Sequence, residues 1–206
     1  MRRKVFDILT SAGGIVVAVV LVVAGALAMW GHSFANSNVH SQLAKQEITF
    51  PTKAAFAAAK PGTEITPAMV PYLEKYAGQQ LLTGPQAEAY ADHFIADHLA
   101  EMPYGGVYSK VSAASMADPS NAALAAEVMT TFRGTTLRGL LLEAYGFWTF
   151  GEIAFWAAIA SFVLAGVMIL LVTLGLWHAA RTSAEAELRI GAHQASTEGG
   201  TGVAAA

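Results

Sequence analysis

Two apolar runs, Ile8–Trp30 and Ile153–Trp177, lie near opposite ends of this 206-residue chain, and they constrain its fold more than any other feature. A hydrocarbon core of about 30 Å takes roughly 20 helical residues at about 1.5 Å each. Both runs reach that length. No charged residue follows Asp7 within the first run. The whole chain is 54% hydrophobic and 13% charged, with mean hydropathy +0.45, which is too apolar for an ordinary soluble domain. The excess is concentrated in the two runs, so the expectation is an all-α membrane protein whose two transmembrane helices flank a mainly helical extracytoplasmic domain.

Charge sets the expected orientation. Arg2, Arg3 and Lys4 precede the first run, and His178, Arg181 and Arg189 follow the second. Positive clusters next to spans stay cytoplasmic, so both termini are expected inside and residues 31–147 outside. The seven Lys and Arg residues of that long loop do not oppose this, because long loops translocate largely regardless of charge. Trp30 is expected as an interfacial anchor, with Trp148 and Trp156 at the outer end of the second span and Trp177 at its inner end. The Ala26-Leu27-Ala28 triplet resembles a peptidase site. The first run is long for a signal's apolar region, however, and the expectation is an uncleaved anchor. Cleavage would leave one anchor and the same outer domain.

The expected organisation is a cytoplasmic N-terminus (1–7), a first span (8–30), the outer domain (31–147), an interfacial approach with the second span (148–177), and a largely disordered cytoplasmic tail (178–206). In the outer domain, Ser33–Glu47 should continue from the first span as a stalk helix. Four prolines, at 51, 61, 67 and 71, make residues 48–71 turn-rich, with a helical turn over Met69–Tyr76. Thr83-Gly84-Pro85 opens a helix to Met102, with Tyr90, Phe94, Ile95, Leu99 and Met102 on its core face. A short helix is expected over Val107–Met116. Asp118 then caps another, with Pro119 at its first position, that breaks near Gly134, and Thr135 and Thr136 cap the next. Only Glu47–Phe50 and Gly106–Tyr108 suit a strand. The tail from Ala192 to Ala206 has little to bury.

Several residues invite a chemical reading. His93, Asp97 and Glu101 stand at i, i+4 and i+8, so a regular helix carries an imidazole and two carboxylates on one face. That face would hold a divalent cation if His98 or His40 supplied a further ligand. No second local ligand pair accompanies it, and a solvated polar face accounts for it equally well. Glu152 falls between Trp148 and Trp156 at the outer mouth of the second span. There it is either an ion- or proton-handling carboxylate, the partner of a cation on another subunit, or a headgroup-level residue that reaches water. Ala157, Ser161 and Ala165 recur every four residues on the second span, and Gly14/Ala18 and Ala24/Ala28 echo this on the first. Such small faces let helix backbones approach. Arg133 and Arg138, before the second span, suit anionic lipid, a partner's carboxylates or snorkelling to headgroups.

Other classes are excluded. A net charge of −3 without a basic stripe gives nucleic acid nothing to bind. The absence of cysteine removes disulfides, thiolate metal sites, a cysteine nucleophile and lipid-modified cysteine. No nucleophile elbow, zinc-protease helix, phosphate loop or dinucleotide fingerprint is present. No cofactor is expected.

Three segments carry a resemblance: MWGHSFANSNVHSQLAKQEITFP, YLEKYAGQQLLTGPQAEAYADHFIADHL and FRGTTLRGLLLEAYGFWTFG. They resemble an uncharacterised actinobacterial family of small two-span membrane proteins, over most of the chain except the tail. The resemblance implies the envelope of a high-GC Gram-positive cell and supplies no site. Some members carry the label of aromatic ring-opening dioxygenases, whose non-haem iron takes two histidines and a carboxylate in a soluble fold. His93, His98 and Glu101 fill that role only against helix geometry, so the label is not carried over. The expected function is a non-enzymatic accessory or scaffold protein of the cell membrane, binding lipids and other envelope proteins, or a second copy, through its outer domain and spans. The alternatives are a metal-binding enzyme or sensor on the His93/Asp97/Glu101 face and an ion- or proton-coupled component using Glu152.

Overall fold

The computed structural model describes residues 3–181, and all its regular elements there are helical. Arg2, Arg189 and the tail from residue 182 on lie outside the described residues, whereas residues 178–181, the start of the expected tail, are helical. Helix α1 (Arg3–Ala44) runs 42 residues and α7 (Ala122–Arg181) runs 60. Each contains a window of mean hydropathy 2.6 of which only 17% is buried, so each is long and apolar enough to cross a membrane. Protein leaves most of that apolar surface uncovered.

α1 passes Trp30 without a break, as the stalk reading required, and sends Val39 and Leu43 into a core before ending. The proline-rich stretch beyond is more ordered than expected. It contains α2 (Lys53–Ala57), where the Thr52 hydroxyl accepts the Ala55 N–H at 3.3 Å and Phe56 is buried. The strand reading of Glu47–Phe50 reduces to one antiparallel bridge between Thr49 and Gln80. Gly106–Tyr108 forms no strand, because Gly106 closes a left-handed turn and Tyr108 opens α6 (Tyr108–Ala117). The turn at Met69–Tyr76 is realised as α3 (Val70–Leu73) and a 3₁₀ turn over Glu74–Tyr76.

The expected single helix from Pro85 to Met102 is three segments. α4 (Gly84–Tyr90) starts at the anticipated signal, with the Gln86 side-chain carbonyl accepting the Leu82 and Thr83 N–H groups at 2.8 and 3.0 Å. A π-helical turn then occupies Ala91–Ile95, and the Ala96 N–H returns to the Ala91 carbonyl five residues back. α5 (Ala96–Ala100) resumes the ordinary pitch. Beyond it Tyr104, Gly105 and Gly106 take φ of 57°, 65° and 63°. A Cβ at Gly106 would fall 2.2 Å from the Leu99 carbonyl oxygen, so only glycine closes this turn.

Two further expectations are corrected. Asp118-Pro119 forms a turn rather than a helix start, and the Asn121 side chain caps α7 by accepting the Leu124 N–H at 3.2 Å. α7 then passes Gly134 unbroken. That glycine serves close packing, since an added Cβ would lie 2.8 Å from Leu99 Cδ2.

By contacts, the chain divides into two units. One comprises the helical segments up to Val23 and from Ser161 on; the other is Ala24–Ala160. The second unit holds the core. Phe50, Met69, Leu73 and Leu81 are almost wholly buried there with Ala87, Ala91, Ile95 and Leu141. Tyr90, Phe94, Leu99 and Trp148 pack against them half-buried. Met102, the last member of the expected core face, is half-buried too.

Candidate functional site

Small residues line the faces on which α1 and α7 meet: the four-spaced pair Gly14/Ala18 is buried there, and the longer pattern repeats every seven residues. In the first unit Ser11, Gly14 and Ala18 are buried opposite Ala165 and Ala179. A Cβ at Gly14 would lie 2.5 Å from Val172 Cγ2, and one at Gly175 2.8 Å from Ser11 Oγ. In the second unit Gly25, Ala35 and Val39 are buried on α1, and Gly151 and Ala158 on α7. Ser11, Ala18, Gly25, His32 and Val39 are each seven apart, as are Gly151, Ala158, Ala165, Val172 and Ala179. Of the four-spaced stripe, Ala165 is buried, Ser161 half-buried and Ala157 exposed, with Ala158 in the seam instead. On α1 Ala24 is exposed and Ala28 half-buried. Steps of four drift about 40° around a helix, whereas steps of seven nearly return to the same face.

His32 occupies one of these seam positions and organises a polar cluster in the second unit. Its Nδ1–H donates to the Gly151 carbonyl at 2.9 Å, and its ring lies 5.0 Å from that of Phe155. The Asn36 amide nitrogen sits 3.4 and 3.3 Å from the two imidazole nitrogens, and so over the ring, and 3.5 Å from Glu152 Oε1. Glu152 Oε1 is 3.8 Å from His32 Nδ1, and Asn36 Oδ1 is buried without a hydrogen-bond partner. Glu152 therefore finds polar neighbours on α1 of its own chain, and the cluster joins two helices at a point where Gly151 lets them touch. A Cβ at Gly151 would come 3.0 Å from that of Ala35. His32 and Asn36 were not singled out in the sequence. The signal was there: both follow Trp30 on an unbroken helix, four residues apart.

The metal-face residues do not converge. His93 stacks on Tyr72 with centroids 3.6 Å apart and planes at 6°. The π turn displaces Asp97 and Glu101 from the face that His93 occupies. Glu101 is exposed, His98 donates from Nδ1 to the Phe94 carbonyl at 2.6 Å, and His40 is exposed on α1. Among the described residues no three His, Asp or Glu side chains gather as a metal ion requires.

Arg138 is engaged within the chain. Its Nη2 donates to Asp92 Oδ1 at 2.6 Å, from a side chain that is 39% exposed to one that is 36% exposed. Arg133 is exposed. The tryptophans separate into two kinds. Trp148 rests on α4, where a Cβ at Gly84 would lie 2.5 Å from its Cβ and Cγ. Trp30, Trp156 and Trp177 are largely exposed; Trp30 stacks on Phe34 at 5.6 Å, and the Arg181 guanidinium lies 3.9 Å over Trp177.

Apolar side chains are also exposed outside the two runs, on α7. Met129, Phe132, Leu140, Phe147 and Phe150 are 40–71% exposed, and at about 100° per residue they fall on one side of the helix. The stripe extends about 30 Å. Beside it an open groove of about 360 Å³ is lined by Val39, Leu43, Leu137, Leu140, Leu141 and Phe147, with Glu143 its charged member. Phe34 meets the edge of Phe147 at 6.4 Å.

No family model, curated protein or solved structure matches the chain.

Proposed function

We propose that this is a twice-anchored membrane protein, both termini cytoplasmic and residues 31–147 outside, that acts without catalysis as an accessory subunit. On this reading it docks an apolar helix of another envelope protein along the α7 stripe and its groove. The observation that carries the proposal is the stripe itself. Phe132 precedes the apolar run at Ile153 by about 30 Å of helix, beyond the reach of lipid tails. Apolar side chains left in water at that height, Met129 and Phe132 among them, mark a protein contact. Glu143 in the groove favours a partner helix that carries a basic residue there. The seam of small residues and the His32–Asn36–Glu152 cluster hold α1 and α7 together and keep the groove between them formed. Glu152 thereby has a positioning task, and nothing in its surroundings asks for ion transport.

A photo-crosslinking residue at Phe132 or Leu140, in cells, tests this. The reading expects one membrane protein captured from both positions, absent from a control at Lys110, and lost from the Phe132 position on Leu140→Glu. Capture of a second copy of this chain, or a monomer that purifies alone with capture unaffected by Leu140→Glu, would overturn it.

A further inference from the structure

A second site lies on the opposite flank of the outer core, where the 3₁₀ turn at Glu74–Tyr76 faces α4 and the π turn. The cavity there measures about 220 Å³ and is lined by Tyr72, Lys75, Tyr76, Glu88, Asp92 and His93. Part of its wall is braced within the chain. His93 and Tyr72 brace each other ring on ring, Tyr76 packs on buried Phe50 with centroids 5.2 Å apart, and Arg138 pins Asp92 through Oδ1 at 2.6 Å. That leaves Asp92 Oδ2 as an acceptor beside Glu88. Lys75 holds its Nζ 4.8 Å above the Tyr76 ring. Neither Lys75 nor Glu88 makes an ion pair within 4.0 Å among the described residues, although both line the same small space.

Opposite charges that share a cavity without meeting leave a gap for something that meets both. We propose that this cavity binds a small zwitterion of the α-amino acid class, its ammonium between Glu88 and Asp92 Oδ2 and its carboxylate at Lys75. The size agrees. The volume equals on the order of seven waters at about 30 Å³ each, below the ~300 Å³ at which drug-sized pockets begin. Glu88, Asp92 and His93 reach the cavity at ordinary helical spacing, with the π turn starting between Glu88 and Asp92, and such turns gather at functional sites. Because the stripe on α7 takes no part, the site stands apart from partner docking.

Calorimetry on the full-length protein in lipid nanodiscs tests the assignment with L-alanine, and with ethylamine and propionate as its two halves. L-Alanine is expected to bind with a millimolar or tighter constant, and each half at least about tenfold more weakly. Lys75→Met and Glu88→Gln should each weaken L-alanine by about tenfold, and His93→Ala should weaken it without any change of charge in the two end groups. Lys75 is exposed, so its variant folds as the parent does. No heat from L-alanine at millimolar concentration would overturn the proposal. Equal binding of ethylamine, or binding that survives both charge variants, would overturn it too.

Discussion

Gly84→Ala asks whether α4 and α7 touch as closely as the structure has them. The added Cβ would lie 2.5 Å from both Cβ and Cγ of Trp148 and 2.8 Å from Cδ2. Ordinary carbon contacts begin near 3.5 Å, so about 1 Å must be found. Rotating the indole does not supply it, because Trp148 Cβ moves only with the α7 backbone. The interior is close-packed and gives little, and overpacking of this kind costs about 1–3 kcal/mol. The stiffness of the obstacle points to the upper half of that range. For a unit the size of Ala24–Ala160, that lowers the unfolding midpoint by about 5–10 °C. The assay is thermal unfolding of the full chain in nanodiscs at one fixed scan rate. Gly146→Ala is the control, since nothing lies within 4 Å of its Cβ position on the same helix. There alanine should add about 0.5–1 kcal/mol through helix propensity alone. Gly134→Ala should fall between the two, because the obstacle is the movable end of Leu99. If Gly84→Ala matches the parent, or Gly146→Ala loses as much as Gly84→Ala, the packing argument fails.

Other consequences are separately measurable. A double-mutant cycle of His32→Ala and Glu152→Ala should return a coupling of about 0.5–1 kcal/mol, as for polar pairs between membrane helices; additive losses would show that the two side chains do not cooperate. The same cycle on Asp92 and Arg138 should give about 0.2–1 kcal/mol and shrink with added salt, since both side chains are more than a third exposed. A salt-independent coupling would contradict that. Tyr90 holds its proton above its ordinary range, first through burial and then through the Glu64 carboxylate. The folded state thus keeps the proton longer than the unfolded chain. The contribution of neutral Tyr90 is complete below the unfolded value and is lost as pH rises through the raised one. Tyr90→Phe should therefore lessen the alkaline fall in the unfolding midpoint, and superimposable alkaline profiles would dispose of the effect.

What the sequence made legible follows from where one rule acts alone. Length and hydropathy fix the two long helices, and proline fixes the start of α4, because nothing competes with either signal. Glycine weakens helices, so Gly134 reads as a break, yet the packing of Leu99 on α7 outweighs roughly 1 kcal/mol of propensity. Asp118-Pro119 has the chemistry of a cap, but Asn121 has it too, and local preference does not choose between them. The π turn at Ala91–Ile95 leaves no mark on hydrophobic periodicity, and the metal face expected from the sequence needs a regular helix there. The partners of Glu152 were hidden for another reason. His32 and Asn36 lie more than a hundred residues away, and only the seven-residue run of Ser11, Ala18 and Gly25 leading to His32 hinted that this face meets another helix.

The central claim is that two spans hold residues 31–147 outside the cytoplasm, and the cysteine-free chain allows a direct check. Single cysteines at Ser109 and Ala180, both exposed, would be treated in cells with a membrane-impermeant maleimide. The account predicts labelling of Ser109→Cys in intact cells and of Ala180→Cys only after the membrane is opened. Labelling of Ala180→Cys in intact cells, or protection of Ser109→Cys, would contradict it.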